Sequence, residues 1–139
     1  LRGAKRVFAG RVIKAGQAEA EALVTAEPIG FLGGVDGETG RVTERGHPLE
    51  GMSVAGKVLV FPTGKGSTVG SYVIYQLAVK GLAPAAILNA ESEPIVAVGA
   101  IIGDVPMVDH LPIREIRTGD WVRVDGAHVT VQRRTSSTG

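Results

Sequence analysis

The sequence predicts a mixed α/β fold in one domain. Its 139 residues can form one hydrophobic core, and the 44% hydrophobic and 21% charged content is ordinary for a globular protein. In the middle of the chain, an apolar run is followed by a glycine loop, a segment with helical spacing and a second apolar run. That order is typical of parallel strands joined by a right-handed crossover, whereas both ends of the chain carry β-type patterns.

The N-terminal part is predicted to be β structure followed by a glycine-rich loop. Val7–Ile13 and Ala20–Thr25 are short β-type runs, which indicates a hairpin or a pair of strands. Phe31–Gly40 has four glycines in ten residues, so its backbone is expected to adopt positive φ or to pass close to another surface.

The centre of the chain predicts a strand, a helix and a second strand. From Val58 to Phe61 polar alternation is missing, as in a strand that is covered on both faces, and Pro62 ends the run. A helix is predicted from Thr68 to Lys80, because apolar residues recur at helical spacing and Lys80-Gly81 is a C-terminal signal. Ala85–Asn89 reads as the next buried strand.

The C-terminal part is predicted to close the domain with antiparallel strands. Ile95–Ile102 is apolar throughout, so periodicity leaves helix and strand open. Val105–Val108 is predicted to be a short strand, and Trp121–Val131 two strands around an Asp-Gly turn. The domain is expected to span residues 1–132, with residues 133–139 as a disordered polar tail.

Composition argues against several classes of function. Fifteen basic and fourteen acidic residues leave a net charge of +1, without the basic patch of a nucleic-acid binder. The absence of cysteine excludes a disulfide scaffold, a thiolate zinc site and an iron–sulfur cluster held by this chain's own thiolates. No segment approaches the roughly 20 apolar residues of a membrane span, and the basic start lacks the apolar stretch of a signal peptide, so a cytoplasmic protein is expected.

The glycine loop Gly64-Lys65-Gly66-Ser67-Thr68 is the best candidate for a reactive centre. At a junction between a strand and a helix, unpaired N–H groups and the helix dipole would stabilise an anion or an alkoxide. A nucleotide P-loop is excluded because Gly66, not serine or threonine, follows Lys65, and the G-x-G-x-x-G and G-x-S-x-G patterns are also absent. The structural alternative is that Ser67 or Thr68 only caps the helix, worth about 1 kcal/mol.

Outside this loop the polar candidates are weaker. Asp36 could orient a substrate, although aspartate in such loops more often bonds its own backbone, and Gly33 and Gly34 could offer N–H groups to an anion. Asp104 and Asp109 are expected to be solvated loop carboxylates. No metal site is expected, because His47 precedes a proline as a turn residue would, and the other histidines stand alone: His110 and His128.

Three blocks of sequence resemble the small subunit of the aconitase X family. They are residues 31–36, 56–62 and 64–72, they occur in the family's order, and the similarity runs from Val7 to Val131. The resemblance implies a swivelling β/β/α three-layer domain, like the mobile C-terminal domain of aconitase. It also implies a partner, a large catalytic subunit in a heterodimer or higher assembly, which carries an iron–sulfur cluster, expected to be [4Fe–4S].

The resemblance also implies a role for the serine of the loop. In the aconitase superfamily the serine after the G-x-G removes a proton beside a substrate carboxylate, and Ser67 matches it. Classical aconitases have an arginine where this chain has Val69, which argues against citrate-type substrates. The expected substrate-binding residues lie in the two glycine loops: Lys65, Gly66, Thr68, Gly33, Gly34 and Asp36.

The implied reaction is the loss of water from a phosphorylated hydroxy acid, (R)-5-phosphomevalonate. The product would be trans-anhydromevalonate 5-phosphate, in the archaeal mevalonate route to isoprenoids, and the isolated chain should be inactive. One alternative is the same fold in a dehydratase for cis-3-hydroxy-L-proline. Another is a non-catalytic phosphohistidine carrier, which would need a histidine in the glycine loop, where this chain has none.

Overall fold

A computed structural model describes residues 2–134, with the side chains of residues 5–133. Within that range the chain forms eight strands and two α-helices, with one 3₁₀ turn at Ile113–Glu115. The strands and helices in chain order are β1 Arg2–Ala9, β2 Arg11–Lys14, β3 Gln17–Val24, β4 Val58–Phe61, α1 Gly70–Val79, β5 Ala86–Asn89, α2 Pro94–Gly103, β6 Met107–Asp109, β7 Trp121–Asp125 and β8 His128–Arg134.

The strands form one continuous sheet with an antiparallel and a parallel half. Their order is β1-β8-β7-β3-β4-β5-β6-β2. Strand β3 belongs to both halves: residues 17–21 pair antiparallel with β7, and residues 22–24 pair parallel with β4. The parallel pairing of β4 with β5 confirms the crossover that the sequence predicts.

Strand β4 shows how the layers are built. Leu59 and Phe61 pack in a core with helix residues such as Ile74, while Val58 and Val60 pack in a second core with the antiparallel half of the sheet. All four β4 side chains are buried. Since successive side chains of a strand point to opposite faces, a strand without polar alternation must be covered on both sides. The result is the predicted mixed α/β fold with β/β/α layers.

Helix α2 resolves the segment that periodicity left open. Its N-cap is Glu93, whose carboxylate accepts hydrogen bonds from the N–H groups of Ile95 (2.9 Å) and Val96 (3.2 Å), and Pro94 occupies the first turn. Proline at this position is a recognised start signal for a helix, so Glu93-Pro94 could have indicated α2. A Cβ at Gly99 would lie 2.6 Å from Cδ1 of Ile74, so glycine allows α1 and α2 to pack closely.

The ends of several elements differ from the sequence prediction. Val7–Ile13 is divided between β1, which pairs with β8, and β2, which pairs with β6, so it is not half of a simple hairpin. Helix α1 begins at Gly70, two residues after the predicted Thr68. Strand β6 spans residues 107–109 instead of 105–108.

Two residues of the predicted tail belong to strand β8. Strand β8 continues to Arg134, and Arg133 donates a hydrogen bond to the carboxylate of Asp120 (3.3 Å), so residues 133 and 134 are part of the sheet. The rest of the predicted tail, residues 135–139, lies outside the described residues. Among residues 2–134, neither helix has the length and apolar content needed to cross a bilayer.

Candidate active site

The glycine loop lies at the carboxyl edge of the parallel strands. It follows β4, which ends at Phe61, and leads into α1, which begins at Gly70. Residues 65–69 are exposed, whereas Gly64 is buried. In open α/β sheets ligands bind outside the carboxyl ends of the strands, so the loop is well placed to meet one.

Ser67 carries a hydroxyl that already accepts a hydrogen bond. Its Oγ accepts from the backbone N–H of Val69 at 3.2 Å. The N-cap of α1 is Val69, with no side-chain cap, so neither Ser67 nor Thr68 caps the helix in the way the structural alternative requires. A donor held against Oγ stabilises negative charge on that oxygen, which suits a proton acceptor.

The unpaired N–H groups are not where the sequence predicts them. The N–H groups of Gly70, Ser71 and Tyr72, the first of α1, are bonded to the carbonyl oxygens three residues earlier, at 2.9, 3.3 and 3.0 Å. The expectation that these helix groups are free is therefore wrong, because a tight turn leads into the helix and uses them. Within the loop, the N–H groups of Gly64, Gly66, Ser67 and Thr68 have no hydrogen bond to another described residue. Those of Gly66, Ser67 and Thr68 belong to exposed residues, whereas Gly64 is buried.

Lys65, the cation of the loop, is held by an acidic residue from another segment. Its Nζ lies 3.0 Å from Oε2 of Glu44, and both side chains are partly exposed. Sequence reasoning missed Glu44, since it lies 21 positions away and belongs to no recognisable motif. The pair holds the Lys65 side chain against Glu44 while about half of that side chain stays exposed.

The second glycine loop, Phe31–Gly40, and the two residues before it pack against the first loop. Ile29 forms a bridge with Gly64, and the N–H of Lys65 donates to the carbonyl of Ile29 at 3.1 Å. A Cβ at Gly30 would lie 3.1 Å from the carbonyl oxygen of Lys65. A Cβ at Gly70 would lie 3.4 Å from the backbone N of Leu32 and 3.7 Å from Cβ of Phe31, so the structure brings together the two glycine-rich blocks that the sequence singled out.

Within the second loop, the backbone N–H groups of Gly33 and Gly34 are unpaired among the described residues, whereas the carboxylate of Asp36 is hydrogen-bonded. The N–H groups of Gly33 and Gly34 have no hydrogen-bond partner among residues 2–134, and Gly33 is exposed with φ +80. Asp36 instead accepts bonds from the N–H of Glu38 (2.8 Å) and from Oγ1 of Thr39 (3.1 Å). Both carboxylate oxygens of Asp36 thus shape its own loop, as the plainer interpretation of this residue expects.

The prediction that Asp109 is a solvated loop carboxylate is wrong. Asp109 is a fully buried strand residue, not a solvated loop carboxylate, and it forms two hydrogen bonds with the guanidinium of Arg11 (2.9 and 2.7 Å). Burial opposes its ionisation, but the bonds from Arg11 and Ser92 outweigh burial and lower the pKa of Asp109 to about 2. Asp104, in contrast, is exposed as expected and pairs with Lys14 at 3.2 Å.

The histidines are also engaged in local contacts. His110 lies 3.1 Å from Glu91, and these two residues form with Asp109 a group whose spacing could hold a metal ion. Arg11 already supplies positive charge there, 2.7 Å from Asp109 and 3.7 Å from Glu91. His47 is buried and accepts at Nδ1 from the N–H of Leu49, which makes it a structural residue.

A shallow groove opens next to the glycine loop. It has a volume of about 220 Å³ and is lined by Thr68 and Ser71 on one side and by Pro94, Ile95 and Val98 on the other. Its walls are thus the starts of α1 and α2. The groove connects the exposed loop to the outer surface of the helix layer.

Comparison with known proteins shows which family the chain is similar to. The family profile of the aconitase X swivel domain matches residues 7–133. The phosphomevalonate dehydratase small subunit of Methanosarcina acetivorans is 58% identical over 121 residues, 85% of this chain and 84% of the relative. The protein of the same name from Methanocella arvoryzae is 59% identical over 120 residues, 84% of this chain and 91% of the relative. The crystal structure of Thermococcus kodakaraensis aconitase X in its holo form superposes with a TM-score of 0.89 at 52% identity, covering 91% of this chain and 98% of that chain.

Proposed function

Because the chain belongs to the aconitase X swivel-domain family, we propose that it is the small subunit of a phosphomevalonate dehydratase and supplies Ser67 as the base. The observation that carries the assignment is the identity of 58% and 59% to relatives of that name, over more than four fifths of both chains. Such extensive similarity includes both glycine loops and the core that positions them.

The proposed reaction removes water from (R)-5-phosphomevalonate. The C2 proton, which is beside the carboxylate, passes to Oγ of Ser67, and the C2–H electron pair becomes the C2–C3 double bond as the C3 hydroxide departs. A serine oxygen accepts a proton only where its anion is stabilised. The N–H of Val69, 3.2 Å from Oγ, gives that stabilisation directly.

Substrate binding is assigned to the donors around Ser67. Lys65 is the cation nearest in sequence, and exchanging Glu44 for the substrate carboxylate would keep its charge balanced. The N–H groups of Gly66 and Thr68, together with those of Gly33 and Gly34, are further donors without partners among the described residues. Asp36 is proposed to act only by holding the shape of the second loop.

The other half of the active site is assigned to the large subunit. The residues of this chain do not fit an iron–sulfur cluster. The sequence has no cysteine to ligate iron, and the carboxylate of Asp109 is already paired with Arg11. Assistance to the departing hydroxide is therefore a task of the partner. The isolated chain should consequently be inactive.

The test is anaerobic reconstitution of the chain with its large subunit, followed by assays with two substrates. The complex should dehydrate (R)-5-phosphomevalonate and leave cis-3-hydroxy-L-proline unchanged. Turnover of hydroxyproline in place of phosphomevalonate, or of neither compound by a correctly assembled complex, would contradict the proposed function.

A further inference from the structure

We propose that the outer surface of the two helices is the face on which the large subunit docks, an inference that rests on the proposed function. The helix face consists of Tyr72, Tyr75 and Val79 on α1 and Val98, Ile101 and Ile102 on α2, all exposed.

The helix face lacks the charges that a solvated helix surface carries. No charged residue occurs between Lys65 and Lys80, and none occurs in α2, Pro94–Gly103. A surface helix normally opposes its buried stripe with charged and polar residues. Exposed aromatic and branched aliphatic side chains on both helices instead favour a surface that another protein covers.

The apolar side chains of both helices form one continuous surface. On α1, Tyr72, Tyr75 and Val79 are spaced three and four residues apart, opposite the buried Ile74 and Leu77. The exposed residues of α2 likewise lie opposite its buried stripe, and the two helices pack directly against each other at Gly99. The two exposed stripes therefore lie side by side.

The area of the helix face is suited to a stable contact. Its residues are between 46% and 69% exposed, which corresponds to roughly 600 Å² of mainly apolar surface. The largest apolar patch on a monomer is about 300–600 Å², and each partner of a standard interface contributes about 800 Å². The helix face alone would supply most of one side of such an interface.

The position of the face selects the large subunit as its occupant. Exposed Val69 extends the α1 stripe into the glycine loop, and the groove between the helix starts is lined by Thr68. A protein seated on the helix face therefore reaches the loop that carries Ser67. The large subunit must meet that loop to complete the active site, whereas a second copy of this chain has no such requirement.

The test compares two exposed valines in the full chain. Val79 on the helix face is 69% exposed, and Val7 on β1, in the antiparallel half of the sheet, is 62% exposed. Binding to the large subunit is measured by anaerobic titration calorimetry. Val79→Glu should raise the Kd about 30-fold or more, as expected when a charge enters an apolar interface, while Val7→Glu should stay within about twofold of wild type. Ile101→Lys serves as a second variant on α2, and a thermal melt checks that each variant folds.

Failure of this inference can be told apart from failure of the proposed function. If the face docks the large subunit, Val79→Glu regains full turnover at saturating large subunit, whereas Ser67→Ala binds normally and stays inactive. Unchanged binding by both Val79→Glu and Ile101→Lys would overturn the docking proposal while leaving the proposed function intact. The docking proposal would also be overturned if Val7→Glu weakened binding to the large subunit as much as Val79→Glu does. It would likewise be overturned if Val79→Glu changed self-association of the chain but not binding to the large subunit.

Discussion

Replacing Gly34 with alanine should displace the loop that packs beside the candidate base. A Cβ at this position would overlap the carbonyl oxygen of Gly30 and lie 3.1 Å from its carbonyl carbon. Gly30 in turn lies against the backbone of Lys65. Since the obstacle is backbone and not a flexible side chain, the strain must move the loop.

The size of the effect follows from the contact distances. The overlap with the carbonyl oxygen of Gly30 is far inside van der Waals contact, so the loop must shift by more than about 1 Å, at a cost of about 3 kcal/mol, the upper end of the usual overpacking range. Gly33→Ala is the matched control, because a Cβ there meets nothing within 4 Å and the only strain comes from φ +80. That conformation costs alanine about 1 kcal/mol.

Differential scanning calorimetry measures how much each of the two variants lowers the Tm. At this chain length about 1 kcal/mol lowers the Tm by roughly 4 °C, so Gly34→Ala should lose about 10 °C or more and Gly33→Ala about 4 °C. The reconstituted Gly34→Ala complex should also lose turnover. A Tm for Gly34→Ala equal to or above that of Gly33→Ala would refute the reasoning about backbone contact.

Two further predictions concern charged groups. The pKa of Asp109 is lowered to about 2 from 3.8. Its ionised form therefore stabilises the fold above pH 3.8, and that contribution, at most about 2.5 kcal/mol, is lost as the pH falls toward 2. Acid unfolding of Asp109→Asn should therefore be flatter than wild type between pH 4 and pH 2, and equal slopes would contradict the ion pair with Arg11. Glu44→Gln should change the free energy of unfolding by less than about 1 kcal/mol, because the pair is partly exposed. It should lower the KM of the complex by freeing Lys65, while Lys65→Met should raise it; unchanged KM in both variants would remove Lys65 from the substrate site.

The sequence predicts those parts of the fold where local pattern determines structure. Val58–Phe61 has no polar residue, which already implies cover on both faces, and the structure confirms the two cores. The sequence leaves α2 ambiguous because a uniformly apolar segment has no period, and only Glu93-Pro94 marks its start. The helical spacing predicts α1 correctly, but the helix begins at Gly70, two residues later than predicted, since a tight turn precedes it.

Contacts between distant segments could not be predicted from the sequence. Arg11 and Asp109 are 98 positions apart, and no local pattern links Lys65 to Glu44. The position of the unpaired N–H groups also depended on the turn before α1, which the sequence does not specify. The role of Ser67 comes from the family resemblance, and it stays a prediction until it is measured.

The most direct test of the account is whether Ser67 moves the C2 proton. When the reconstituted complex hydrates trans-anhydromevalonate 5-phosphate in D₂O, NMR should show deuterium at C2 of the phosphomevalonate formed. The matched control is Ser53→Ala, because Oγ of Ser53 accepts from the N–H of Ala55 at 3.2 Å, the same turn and distance as at Ser67. We predict that Ser53→Ala incorporates deuterium like wild type and that Ser67→Ala assembles normally but incorporates none. Deuterium at C2 in the Ser67→Ala complex at the rate of the Ser53→Ala complex would contradict the central claim.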